Sequence, residues 1–204
     1  MAAATLQVAR SAGRSVFARA IAARAEVAYP GRDVWVHLFR HGIAIDPTDP
    51  SCPTDPERYL TDKGRVRTKL AAKGLLAVGI APEVIIASPY VRAQQTAEIA
   101  REVLGGDALP LVTSDTLTPM SDPSDVVDVL RARSEQNLLC VGHSPNLDRV
   151  LAYLVGADEP IGALKKAGCA SLEIRHGRPG PGNALLVGLY PTSVLRKLGG
   201  DNSD

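Results

Sequence analysis

The sequence predicts an α/β fold: a three-layer helix/sheet/helix sandwich around a mainly parallel sheet, with an antiparallel hairpin at one edge. Three observations carry this. Strand-like apolar runs alternate with helix-length segments four times between residues 34 and 155. Two of those runs, residues 84–87 and 138–141, are apolar without alternation, as strands covered on both faces are. The last two strand-like runs are joined by a turn-rich segment only, which suits antiparallel pairing.

The elements follow in order. Val34, Trp35, Val36, His37, Leu38 and Phe39 read as a strand of β-branched and aromatic residues, ended by Arg40-His41-Gly42. Residues 43–59 hold four prolines among Asp, Thr and Ser and read as a loop. Thr61 is placed to cap a helix over 62–78, with Val66, Leu70, Gly74 and Ala77 expected as its buried stripe. The strand at 84–87 stops at Ser88-Pro89. A helix follows over 90–104, with Ala93, Ala97, Ala100 and Leu104 on one face and Gly105-Gly106 closing it. A weaker strand is expected at 109–112. Asp122-Pro123 opens a helix to about residue 133, with Pro at an early position. The strand at 138–141 ends at Gly142-His143, and Ser144-Pro145 leads a helix to about residue 155. Strands at 169–175 and 184–190 flank the turn at 176–183, and residues 192–198 suit a short last helix.

The chain has 204 residues, 45% hydrophobic and 22% charged, with a net charge of +1. That is ordinary globular usage, with enough chain to bury a core. A near-neutral chain has no strong electrostatic footprint for nucleic acid, and no run of 18 apolar residues exists to span a membrane. Residues 1–33 stand apart: Arg10, Arg14, Arg19, Arg24 and Arg32 face only Glu26 and Asp33, giving +3 against −2 for the rest. This Ala/Arg-rich, acid-poor stretch is expected to be a helical or disordered extension before a domain at 34–204, and it also has the composition of a mitochondrial transit peptide. Cys52, Cys140 and Cys169 are odd in number and widely spaced, which disfavours a disulfide framework or a zinc site and favours a reducing compartment. The expected location is therefore cytoplasmic, or mitochondrial if residues 1–33 are a transit peptide.

In open α/β sheets, ligands bind beyond the carboxyl ends of the strands. Three polar sets occupy such ends: Arg40-His41, Ser88 to Arg92, and His143-Ser144. Two guanidinium forks suit phosphate oxygens, and the helix starts behind them add backbone N–H groups. With no acidic cluster beside them, charge neutralisation falls to Arg and His, so neither a metal nor another cofactor is implied. An imidazole in such a site can be a nucleophile, its pKa lowered by neighbouring guanidinium groups.

The segment from Val36 to Gly42, ending Arg40-His41-Gly42, resembles the opening of the histidine phosphatase superfamily, which includes the phosphoglycerate mutases. Leu60-Thr61-Asp62-Lys63-Gly64 resembles that family's Leu-Thr-x-x-Gly helix start. Ser88-Pro89-Tyr90-Val91-Arg92-Ala93, with Thr96, is similar to its Ser-Pro-x-x-Arg-Ala-x-x-Thr segment, and Val141-Gly142-His143-Ser144-Pro145 to its second-histidine segment. Only about 25 residues separate Arg92 from Leu117-Thr118-Pro119. The resemblance is therefore to the small SixA-type protein phosphohistidine phosphatases, a phosphoglycerate mutase-like fold without the large helical cap.

The resemblance implies that His41 attacks phosphorus and is transiently phosphorylated. Arg40, Arg92 and His143 would bind the phosphoryl oxygens, with Gly42 and Ser144 close to the substrate. Thr96, on the same helix face as Arg92, is expected to pack rather than to react. Many relatives place a Glu proton donor near residues 115–117, where this chain has Asp115-Thr116-Leu117. Asp115 is the candidate substitute, with Asp46 and Asp49 as further candidates. The missing Glu disfavours alkyl phosphate esters and suits an N–P bond, whose imidazole leaves well once protonated. His37 and His176 are expected to be structural or exposed.

The expected substrate is thus a phosphorylated protein carrying phosphohistidine. Small phosphomonoesters are the alternative, a mutase activity is disfavoured, and a low-turnover phosphoprotein-binding module is the reading from another class.

Overall fold

A computed structural model describes residues 33–201; the expectations for residues 1–32 lie outside the described residues. The chain runs β1 (Val34–Arg40), α1 (Asp62–Ala77), β2 (Val84–Ala87), α2 (Val91–Leu104), β3 (Leu111–Thr113), α3 (Pro123–Arg131), β4 (Asn137–Gly142), α4 (Asn146–Val155), β5 (Cys169–Ile174), β6 (Ala184–Tyr190) and α5 (Thr192–Leu198). The six strands form one sheet in the order β3-β2-β4-β1-β5-β6. β3, β2, β4 and β1 are parallel, and β5 and β6 are antiparallel additions at one edge. The expected three-layer α/β arrangement is the one observed.

The period-2 alternation of the strands sorts the core into two halves. Val36, Leu38, Val84, Ile86, Leu138 and Cys140 pack on one face against Val126, Val127 and Leu130 of α3 and Leu147, Val150, Leu151 and Leu154 of α4. Phe39, Ile85, Leu139 and Val141 pack on the other face against Ala71, Ala72 and Leu75 of α1, Ala93, Ala97 and Ala100 of α2, and Leu195 of α5. Capping sets the helix starts. The Thr61 side chain accepts from the Gly64 amide, and Asp122 accepts from the Ser124 amide ahead of Pro123.

Several boundaries differ from expectation. β3 starts at Leu111 rather than 109, because Pro110 has no N–H to give a ladder. α3 ends at Arg131, and α4 starts at Asn146, with Ser144 and a cis-linked Pro145 left outside it. The stripe expected on α1 is out of phase: Gly64, Thr68, Ala71, Ala72, Gly74 and Leu75 are buried, whereas Val66 is 62% exposed. Small side chains line this helix where it approaches backbone, so an apolar pattern weighted by size points to the wrong face. Cys140 and Cys169 are buried free thiols, their pKa raised by burial (Cys140 to about 12), and Cys52 is half-buried and free. No described helix is long and apolar enough to cross a membrane.

β4 lies between β1 and β2, so three parallel strands in a row point their carboxyl ends at the same rim. Arg40 sits level with Gly142, and Ala87 with Val141. The next residue on each chain enters the site.

Candidate active site

His41 leaves β1 with its amide bonded to the Gly142 carbonyl at 3.0 Å, which holds it beside the end of β4. Its Nδ1 lies 2.7 Å from the Gly42 carbonyl. A carbonyl only accepts, so Nδ1 carries the ring hydrogen and Nε2 keeps its lone pair free. Burial, then the neighbouring His143, Arg92 and Arg40, push the His41 pKa down to about 2, against a partial opposing effect of the Gly42 hydrogen bond. The ring is therefore neutral and unprotonated at Nε2 at neutral pH.

His143 follows β4 and stands with its ring centre 4.9 Å from that of His41. Its Nε2 pairs with the Ser88 hydroxyl at 2.9 Å, and its pKa is lowered to about 3 by burial, then by Arg92. Tyr90 packs edge-on to His143 at 5.1 Å, and the Arg92 guanidinium lies over the Tyr90 ring at 5.0 Å.

Arg92 enters from the first turn of α2 and is almost fully buried. Asp55 holds it twice: the Asp55 carbonyl accepts from Nη1 at 2.5 Å and its carboxylate from Nη2 at 3.2 Å. Arg58 also donates to that carboxylate, at 3.0 Å. Partial burial alone would raise the Asp55 carboxyl, yet the hydrogen bonds and charges of Arg58 and Arg92 leave it below its ordinary value. Arg40 gives Nη1 to the Leu164 carbonyl at 2.6 Å, and the Leu164 amide in turn donates to the buried Asp148 carboxylate at 2.8 Å. Burial lowers the Arg40 pKa, and Asp148 counters it.

Within this cluster, Arg40 Nε, Arg92 Nε and His143 Nδ1 are buried and have no hydrogen-bond partner among the described residues. Buried polar atoms are normally satisfied, so these three orphans, on side chains whose charges act on His41, are free to meet the oxygens of an anion. A tetrahedral oxyanion would find guanidinium N–H donors and the free Nδ1 of His143 there, beside the unprotonated Nε2 of His41.

The four residues singled out by strand-end logic, Arg40, His41, Arg92 and His143, are thus brought together. Gly42 is adjacent: its amide donates to the Thr96 hydroxyl at 3.0 Å, which donates to the Arg92 carbonyl at 2.7 Å. Thr96 is therefore more than packing, because it ties the His41 loop to the helix that carries Arg92. Ser144 donates weakly, at 3.4 Å, to the same Leu164 carbonyl as Arg40. Asp115 is exposed in a 3-10 turn, and its carboxylate makes no hydrogen bond or ion pair among the described residues. Asp46 and Asp49 accept from Thr48 and Ser51 in the loop after β1. His37 is buried on β1, bonded through Nδ1 to Ser171 on β5. His176 belongs to the 3-10 turn between β5 and β6.

Asp55, Tyr90 and Asp148 were not singled out from the sequence. Asp55 and Tyr90 gave no signal beyond proximity to Arg92 in space. Asp148 did leave one: a carboxylate one residue past Leu147 and three before Leu151, inside the buried arc of α4.

Comparison with known proteins agrees with this geometry. The profile described as Histidine phosphatase superfamily (branch 1) matches residues 36–121. An uncharacterised protein of Picosynechococcus sp. is 39% identical over 142 residues, 67% of this chain and 83% of that protein. The mitochondrial serine/threonine-protein phosphatase Pgam5 of Drosophila mojavensis is 45% identical over 62 residues, 30% of this chain but only 20% of that protein. The structure of the protein histidine phosphatase SixA complexed with tungstate superposes with a TM-score of 0.69 at 25% identity, covering 79% of this chain and 99% of that one. With two arginines and two histidines converging where three parallel strands end, and with these matches across both sequence and fold, the chain belongs to the histidine phosphatase superfamily.

Proposed function

We propose that the protein is a metal-independent phosphatase that takes a phosphoryl group from phosphohistidine on another protein onto His41 and passes it to water. The observation that carries this reading is the trio of buried, unpartnered donors, Arg40 Nε, Arg92 Nε and His143 Nδ1, beside a His41 whose free nitrogen is Nε2. Nε2 attacks phosphorus in line, and the bond from phosphorus to the substrate imidazole breaks as that ring leaves with a proton. Guanidinium and imidazole donors take up the charge on the equatorial oxygens. With the Ser88 hydroxyl donating a hydrogen bond to His143 Nε2, Nδ1 carries the ring hydrogen that meets an oxygen. Water then attacks the phosphohistidine, breaks its P–N bond and returns His41 to its starting form. Arg40 and Arg92 do the charge-neutralising work that a divalent ion does elsewhere.

The choice of an N–P bond over an ester rests on the acids at hand. Asp55 is the carboxylate beside Arg92 and His143, and two arginines hold it in its ionised form, so it is a poor donor to an alkoxide. An imidazole leaving group brings its own proton.

His41→Ala is expected to lower p-nitrophenyl phosphate hydrolysis by about 10³-fold or more. Wild-type activity should survive a chelator. The radiolabelled phosphoenzyme should be acid-labile and alkali-stable; the opposite stability would place the phosphate on an Asp. A panel of sugar and glycerate phosphates should give a lower kcat/KM than a phosphohistidine-bearing protein, and a uniformly higher value would reject the substrate class.

A further inference from the structure

A concavity of about 460 Å³ shares Arg40 with the cluster around His41. Its other charged lining residues are Arg67, Lys165, Lys166 and Arg196, with no carboxylate among the lining residues. Arg196 is neutralised by Asp201. Arg67, Lys165 and Lys166 make no ion pair and no side-chain hydrogen bond among the described residues. Lys166 lines the groove together with Arg40; partial burial, then the charges of Arg40 and Arg58, lower its pKa, and the Asp46 carboxylate opposes them.

The wall carrying these lysines is built in. The Ala167 amide donates to the carbonyls of both Arg40 and His41, at 3.0 and 3.1 Å, so the turn after Lys166 is bolted to the catalytic loop. Ala167 is 2% exposed and has φ +57, a left-handed conformation that is uncommon for a residue with a Cβ. Backbone strain of this kind persists where the surroundings impose it, and such places cluster at ligand sites. Here the turn follows Lys165 and Lys166, which line the same groove as Arg40.

We infer that this groove seats an acidic stretch of the substrate polypeptide next to its phosphorylated residue, an inference that rests on the phosphoprotein reading of the site. Charge complementarity identifies the occupant. A single phosphoryl group is served at His41 and has no need of Arg67 or Lys165. Several unpaired cations spread along a groove of this size match successive carboxylates better than one compact anion. Arg40 lies at the junction, so a chain whose phosphoryl group reaches His41 runs directly into the groove.

The test uses two peptides phosphorylated on a single histidine, one flanked by Asp and Glu, the other by Asn and Gln at the same positions. Wild-type protein is expected to show about tenfold higher kcat/KM for the acidic flank at low salt, the sum of a few exposed ion pairs, falling toward parity at 0.5 M salt, a concentration of about the order that shortens screening to a few Å. The double variant Arg67→Gln, Lys165→Gln should bring the low-salt ratio near one. Equal rates on the two peptides in wild type, or a preference untouched by the double variant, would overturn the groove while leaving the phosphohistidine reading intact. Hydrolysis of p-nitrophenyl phosphate with neither peptide turned over would instead sink the phosphoprotein reading itself. If the variant's loss fell on 3-phosphoglycerate relative to glycerol phosphate, with no difference between peptides, the polypeptide occupant would be rejected.

Discussion

Asp148 acts on Arg40 through the backbone of one residue, Leu164. Its carboxylate holds the Leu164 N–H, and the Leu164 carbonyl holds the Arg40 guanidinium. Asp148→Ala leaves that buried N–H unpaired, which costs about 1–3 kcal/mol, and frees the carbonyl that fixes Arg40. The expected result is a lower melting temperature together with a raised KM for p-nitrophenyl phosphate. Asp148→Asn, which keeps an acceptor for the amide, should recover most of the stability but less of the KM, because it no longer offsets the Arg40 charge. Equal recovery of both would make Asp148 a purely structural residue. At this scale the sequence revealed the residues that follow strand ends, namely Arg40, His41, Arg92 and His143. It concealed partners supplied by loop backbone, because the Leu164 carbonyl and the Asp55 carbonyl have no residue-type signature. Asp55 could be any loop acid until the fold carries it 37 positions to Arg92.

At the scale of elements, α1 and α5 meet at glycine on both sides. A Cβ on Gly74 would lie 2.1 Å from the Leu195 carbonyl oxygen, and one on Gly199 would lie 1.9 Å from that of Leu70. Both obstacles are backbone, which cannot swing aside. Gly74→Ala raises helix propensity by about 1 kcal/mol, yet the forced separation should outweigh that gain, with a net loss of about 1–3 kcal/mol. Thermal melts of this variant beside Leu76→Ala, at a half-exposed position on the same helix, would check it; a stabilised Gly74→Ala would contradict the close approach. The same contact explains why strands were more legible than α1. β1, β2 and β4 bury bulky apolar residues that announce their faces, whereas α1 buries Gly64, Thr68, Ala71 and Gly74, whose small size is the requirement. β3 was misplaced at its start for a local reason, the missing N–H of Pro110.

For the whole molecule, three buried imidazoles set the response to acid. Burial lowers His37 to about 4, His41 to about 2 and His143 to about 3, against about 6.5 when unfolded. Below pH 6.5 the unfolded chain therefore binds more protons than the native one, and stability falls as pH falls, down to the native pKa values. Each imidazole contributes a slope of up to about 1.4 kcal/mol per pH unit, so three contribute up to about 4. Urea midpoints measured from pH 7.5 to 5 should decline steeply, before most carboxylates begin to titrate. A flat profile across that range would show that the rings are not held neutral.

The order of strands has a different consequence. β4 is threaded between β1 and β2, although it follows both in the chain. A nascent polypeptide released only as far as residue 121 has already emitted His41 and both guanidinium groups, Arg40 and Arg92, but the rib that sets them side by side is still to come. Phosphate affinity should consequently arise in one step once residue 143 has emerged and β4 has slotted home, making tungstate or vanadate binding a late-stage reporter of tertiary assembly during synthesis.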